Sequence, residues 1–270
     1  MNRLRLLVIC LGLILFASSC VSNKRIIYLQ NLEGNTPIPE DQLISYELPE
    51  YRLQYNDIID VQIQTVDDFL RNGFGPPPAN MNMNMMQGAQ GGGDVYYMTG
   101  YSIDREGNIR LPIVGNINVL QMTLEEARET IETRLRTDFV TTELYVRVKL
   151  GGIRFASFGE FRRPGKFTVL QDRMTIFEAI AHSGDMTIAA KRDELLLIRQ
   201  YPDGSKLHRV NLQDRQLITS PFYFIQPNDQ LYAEPMKVRE IGAGENAAQS
   251  ISLIISSLSL VALVLNLVIQ

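Results

Sequence analysis

Apolar and polar residues alternate through Tyr51-Arg-Leu53-Gln-Tyr55 and again through Ile58-Ile-Asp-Val61-Gln-Ile63. That period of two predicts strands, with Asn56-Asp57 as the turn between them. Tyr101-Ser-Ile103 and Ile109-Arg-Leu111 flank Arg105-Glu-Gly107-Asn, which predicts a hairpin bent at glycine and asparagine. A further strand is expected over 116–120. The period changes at Thr123: Thr123-Leu-Glu-Glu126 reads as a capping box, and Leu124, Ala127, Ile131 and Leu135 follow helical spacing. Alternation returns from Glu143 to Leu150. Residues 46–150 therefore read as one α+β unit.

A second series fills 151–236. Phe155 to Phe161 and Phe167 to Val169 read as strands joined by the turn Arg163-Pro164-Gly165-Lys166. Thr175 starts a helix carrying Ile176, Ala179 and Ile180, which stops near Ser183-Gly184-Asp185. Glu194 to Arg199 and Leu207 to Leu212 form a hairpin across Pro202-Asp-Gly204, and 222–225 and 230–233 complete the set. Hairpins around one helix predict a small β-grasp-like unit, so the fold class expected for the whole chain is α+β.

The ends differ from the middle. Arg3 and Arg5 precede an apolar run from Leu6 to Phe16, then Ala17, Ser18, Ser19 and Cys20. This is the layout of a secretory signal peptide over 1–19, with an apolar run too short to span a bilayer. The chain's two cysteines, Cys10 and Cys20, lie in or beside that signal, so the exported part holds no disulfide. Ala17-Ser18-Ser19-Cys20 reads as a lipobox. Cys20 is the expected lipidation site, carrying diacylglycerol and fatty acyl chains; each buried methylene contributes about 0.8 kcal/mol to anchoring. Residues 20–45, with Pro37 and Pro39, are expected to be a polar tether. Residues 71–94 contain Pro76 to Pro78, a Met/Asn repeat and Gly91 to Gly93, a low-complexity insert expected as a surface loop. Soft-metal binding by Met81, Met83, Met85 and Met86 is the weaker reading of that composition.

From Ala247 to Ile269 there is no charge, and at about 1.5 Å per residue the segment reaches roughly the ~30 Å of a hydrocarbon core. Residues 247–270 are therefore expected to form a single transmembrane helix after a linker over 237–246. Gln249, Ser252, Ser256, Ser259, Leu263, Asn266 and Gln270 are spaced alternately three and four, which places them on one stripe. In lipid that stripe would face sister helices or a pore, making Gln249, Ser252, Ser256, Ser259, Asn266 and Gln270 the candidate helix seam. A plain anchor is the alternative.

With 270 residues, 45% of them hydrophobic, the chain can build real cores. A net charge of −4 without basic runs argues against nucleic acid. Catalytic signals fail one by one. In Gly159-Glu-Phe-Arg-Arg-Pro-Gly165-Lys166 five residues separate the glycines where a phosphate loop needs four, and Phe167 replaces the Mg²⁺ ligand. His182 and His208 have no metal-ligand spacing, and no Gly-x-Ser-x-Gly occurs. The pairs Asp67-Asp68 and Glu125-Glu126 read as solvated edges or helix starts. No catalytic residue, no metal site and no cofactor beyond the Cys20 lipid are expected.

Tyr51-x-Leu53-x-x-Asn56-Asp57-x-Ile59-x-Val61, Tyr101-x-Ile103-Asp-x-x-Gly107-x-Ile109-x-Leu111-Pro112-x-x-Gly115 and Thr123-x-x-Glu126-Ala127 resemble the polysaccharide export (Wza-type) domain. Gly159-Glu-x-x-x-Pro164-Gly165 with the 175–184 helix resembles the soluble-ligand-binding β-grasp (SLBB) domain that accompanies it. Asn56 stands where the family has glycine, and Ser183-Gly184-Asp185 replaces Ala-Gly-Gly. The resemblance implies a non-enzymatic outer-membrane lipoprotein that exports capsular polysaccharide or exopolysaccharide. It implies a homo-oligomeric ring with an α-helical membrane pore, octameric in the best-known member, with periplasmic domains. It further implies partners in the polysaccharide itself, outer-membrane lipid and an inner-membrane co-polymerase with a tyrosine kinase. The competing reading is a monomeric periplasmic glycan-binding lipoprotein with a C-terminal helical anchor.

Overall fold

The computed structural model describes residues 23–45, 50–72, 99–138 and 143–236, with Ser252, 255–259 and 261–262 near the C-terminus. In the first unit β1 (Ile58–Thr65) runs into α1 (Val66–Asn72). Then come β2 (Tyr101–Ser102), β3 (Asn108–Leu111), β4 (Gly115–Asn118), α2 (Leu124–Asp138) and β5 (Leu144–Leu150). β1 is the central strand of an antiparallel sheet ordered β2-β1-β5. Helix α2 starts at the expected capping box, with Glu126 N–H donating to Thr123 Oγ1 at 3.1 Å and Thr123 N–H to the Glu126 carboxylate at 2.8 Å. It buries Ala127, Ile131 and Leu135 in the core that Ile59, Val146 and Leu150 share.

Two local expectations are corrected. The stretch 51–55 is not a strand. Leu53 is fully buried, but its N–H donates to Met122 O and its carbonyl accepts from Gln121 N–H, both in a loop. The left-handed Asn56 (φ 70°) swings the chain away before it can lie alongside β1. The bend at 104–107 forms, with Asp104 N–H donating to Asn108 O at 2.9 Å, but the strands it joins find other partners. β2 pairs with β1, and β3 pairs with β4.

The second unit contains β6 (Ile153–Gly159), β7 (Gly165–Val169), β8 (Met174–Thr175), α3 (Ile176–His182), β9 (Leu195–Tyr201), β10 (Gly204–Val210), β11 (Phe224–Ile225) and β12 (Asp229–Ala233). Its five-stranded sheet has the order β10-β9-β12-β6-β7. The last strand, β12, lies in the middle, parallel to β6 and antiparallel to β9. Alternation sends Leu195, Leu197, Ile153, Phe155, Leu231 and Ala233 into one core with Ile176, Ala179 and Ile180 of α3. A full capping box at Thr175 starts that helix.

The segment expected as a tether is instead a strap on this second unit. Leu29 N–H donates to Leu212 O at 3.2 Å, and Gln30 bridges Asp214 in parallel. Arg215 donates to Leu29 O at 3.0 Å and to Ile38 O at 2.7 Å, while Gln216 donates to Thr36 O at 2.8 Å. Tyr28 donates to Asp185 at 2.6 Å, meets the Phe177 ring edge-on at 5.6 Å, and sits 5.2 Å under the Arg192 guanidinium. A sequence without periodicity docks here because side chains of the second unit capture its backbone carbonyls.

The expected transmembrane helix over 247–270 is not supported. Among the described residues no helix is long and apolar enough to cross a membrane.

Candidate functional site

The polar residues of the 51–61 motif converge where the two units meet. Asp57 is almost fully buried and follows the left-handed Asn56. One carboxylate oxygen accepts from Gln54 N–H at 2.8 Å and from Tyr51 Oη–H at 2.5 Å; the other accepts from Asn228 Nδ2 of the second unit at 3.3 Å. Asn228 belongs to a twin of the same turn. Gln226 N–H donates to the Asp229 carboxylate at 2.8 Å, Asn228 is left-handed (φ 67°), and Asp229 is fully buried. Gln-x-Asn-Asp thus occurs twice, each time immediately before or at the start of a strand, β1 and β12. Each time asparagine supplies the positive φ and aspartate ties back the turn.

The twins differ in electrostatics. Asp229 receives a two-pronged ion pair from Arg199, at 3.0 and 2.7 Å. Burial raises the Asp229 pKa and the Arg199 charge opposes the rise. Burial pushes the Asp57 carboxyl up to about 6, against the opposing Tyr51 and Gln54 hydrogen bonds and the Arg154 charge. Burial, and then the neighbouring Asp57 charge, also pushes the Tyr51 phenol up. Because the folded Asp57 pKa lies above its ordinary 3.8, its stabilising contribution is fully present below that value and is lost as pH rises through about 6. The shift corresponds to about 3 kcal/mol. Urea midpoints of the native chain should therefore fall more steeply between about pH 4 and about pH 7 than those of Asp57→Asn. Parallel pH profiles would show that Asp57 does not titrate in that window.

The remaining motif positions also make turns and caps. Gly107 (φ 84°) closes the bend before β3, where a Cβ would stand 2.5 Å from Leu120 Cβ. Thr123 and Glu126 cap α2. Residues 45–150 match the family model described as polysaccharide biosynthesis/export protein. The match covers less than half of the chain and ends at Leu150, the last residue of β5, so it coincides with the first unit, whose Asp57 turn faces the second. No curated protein matches the chain.

Of the site residues expected from sequence, Cys20, Gln249, Asn266 and Gln270 lie outside the described residues. So does the insert beyond Asn72, as far as its end at residue 94. Ser252, Ser256 and Ser259 fall on described helical positions. Ser256 Oγ donates to Ser252 O at 2.7 Å and Ser259 Oγ to Ile255 O at 2.8 Å, so both hydroxyl protons stay within the helix. His208 shares a hydrogen bond with Tyr201 Oη at 3.0 Å and packs on Phe222; burial, then Arg199, lowers its pKa. Among the described residues no group of three His, Cys, Asp or Glu is placed to hold a metal ion. The junction residues Asn228, Asp229 and Arg199 were missed from sequence, although the repeated Gln-x-Asn-Asp was there to find Asn228 and Asp229.

Proposed function

We propose that this protein is a non-enzymatic subunit of a machine exporting capsular polysaccharide or exopolysaccharide, held at the outer membrane by lipid on Cys20. The observation that carries the reading is the export domain at residues 45–150. Residues 151–236 act as an SLBB domain of β-grasp type; the support is the insertion of β12 between β6 and β9, with two hairpins flanking α3. The subunits assemble as a homo-oligomeric ring in the periplasm and meet an inner-membrane co-polymerase with its kinase. The motif's polar residues are occupied in turns and caps, which fits a structural rather than catalytic part. The proposal places no membrane-crossing helix in 247–270.

The test is deletion of the gene in its native host with surface polysaccharide as the readout, complemented by native chain or Cys20→Ser. Loss on deletion, rescue by the native chain and failure of the unlipidated form are expected. Unchanged surface polysaccharide on deletion would overturn the export reading. Light scattering in mild detergent should give a particle several times the 30.6 kDa of one chain. A monomer would replace the ring with the glycan-binding lipoprotein reading.

A further inference from the structure

Helix α2 has three faces. One is buried through Ala127, Ile131 and Leu135. A second closes on itself as an ion-pair ladder: Arg128 bridges Glu125 and Glu132, each at 2.6 Å, and Arg136 returns to Glu132 at 2.8 Å. The third carries Thr130, Thr133 and Thr137, all the threonines of the helix, at spacings of three and four. Threonine is a poor helix former, and neither the core nor the ladder asks for it here. Thr133 and Thr137 are exposed and Thr130 is half-buried.

That face forms one wall of an open groove of about 860 Å³, whose other wall is Asn116 and Ile117 of β4. Thr130 and Thr137 donate their hydroxyl protons back to Glu126 O and Thr133 O, at 2.8 and 2.9 Å, which leaves their oxygens as acceptors. The Asn116 amide can donate as well as accept, and the threonine methyls supply apolar surface between the polar atoms. Successive threonines lie about 4.5 and 6 Å apart along the axis, so hydroxyl and methyl recur down the wall. Charge narrows the occupant further. Glu126, Glu129 and Arg134 line the groove, each in an ion pair, with Arg52 at 3.3 Å, Arg128 at 3.5 Å and Asp138 at 2.9 Å. With Glu50, Glu125, Glu132 and Arg136 the network holds six carboxylates to four guanidinium groups. An acidic polymer would meet net repulsion.

We propose that the groove between α2 and β4 binds a neutral glycan strand, its ring hydroxyls pairing with the threonines and Asn116 and its C–H faces lying on the threonine methyls. The assignment rests on the export reading and specifies where in the export domain the polymer lies and which charge class it has.

The test is native affinity electrophoresis of the full chain through gels cast with dextran, pullulan, galactomannan or the acidic hyaluronan. At least one neutral polymer should retard the protein more than hyaluronan does. Thr133→Val with Thr137→Val keeps shape at exposed positions and should weaken that retardation about fivefold or more; Asn116→Ala should weaken it independently from the other wall. Glu125→Gln on the ladder face should change it less than about twofold. Retardation by none of the neutral polymers, preference for hyaluronan, or unchanged retention in the valine and alanine variants overturns the groove assignment. If surface polysaccharide is still lost on deletion, the export reading stands without the groove.

Discussion

Arg199→Ala should cost about 3–5 kcal/mol of stability, read as a large drop in the urea midpoint. The side chains of Arg199 and Asp229 are 4% and 0% exposed, so removing the guanidinium strands a carboxylate where water cannot replace the lost bonds. Arg199 also donates to Phe224 O at 2.9 Å, and that bond would be lost too. Replacing both partners with apolar residues, Arg199→Met with Asp229→Leu, should recover part of the loss because no buried charge remains. Recovery should be incomplete, since the Asp229 carboxylate also fixes Gln226 N–H in the turn before β12. A single-variant loss below about 1 kcal/mol would mean water reaches the pair.

Gly159→Ala carries the second large expectation. Gly159 ends β6 with φ 84°, and a Cβ there would collide with the backbone carbonyl of Ala233 and stand 2.8 Å from the Tyr232 ring. The left-handed conformation costs about 1–2 kcal/mol for an L-residue, and overpacking against backbone adds about 1–3 kcal/mol. Six residues on, Gly165 would place its Cβ only in ordinary contact, 3.9 Å from the Phe167 ring. Gly165→Ala should therefore stay within about 1 kcal/mol of the native chain. Similar urea midpoints for the two variants would contradict the close approach of β6 and β12 at Gly159.

This contrast between two glycines of one motif shows what the sequence could carry. Features set by neighbours within a few residues were legible: the capping box at Thr123 and the helix start at Thr175, the helical spacing of Ala127, Ile131 and Leu135, the alternation of β5 and the apolar run of β9. Pairing was less so, because alternation marks a strand without naming its partner; β2 looked like the mate of β3 and joins β1 instead. The strap was illegible for the same reason. Its anchoring bond, Tyr28 to Asp185, spans 157 residues, and its order comes from groups on another part of the chain. At the candidate site, Asn56-Asp57 stood out as a motif, but its connection to Asn228 spans 171 residues. The C-terminal expectation failed differently: among the described residues no helix is long and apolar enough to cross a membrane.

The strap and the central strand also fix an order of events. Residues 23–45 are synthesised long before their partners at 212–216, and β12 must slot between β6 and β9 after both have been made. Neither closure can occur until residues 212–216 and β12 themselves exist. Contacts of such long sequence separation make for slow, late folding, and until β12 arrives two strand edges stay open. The second unit therefore stays open until its own last strand has been made.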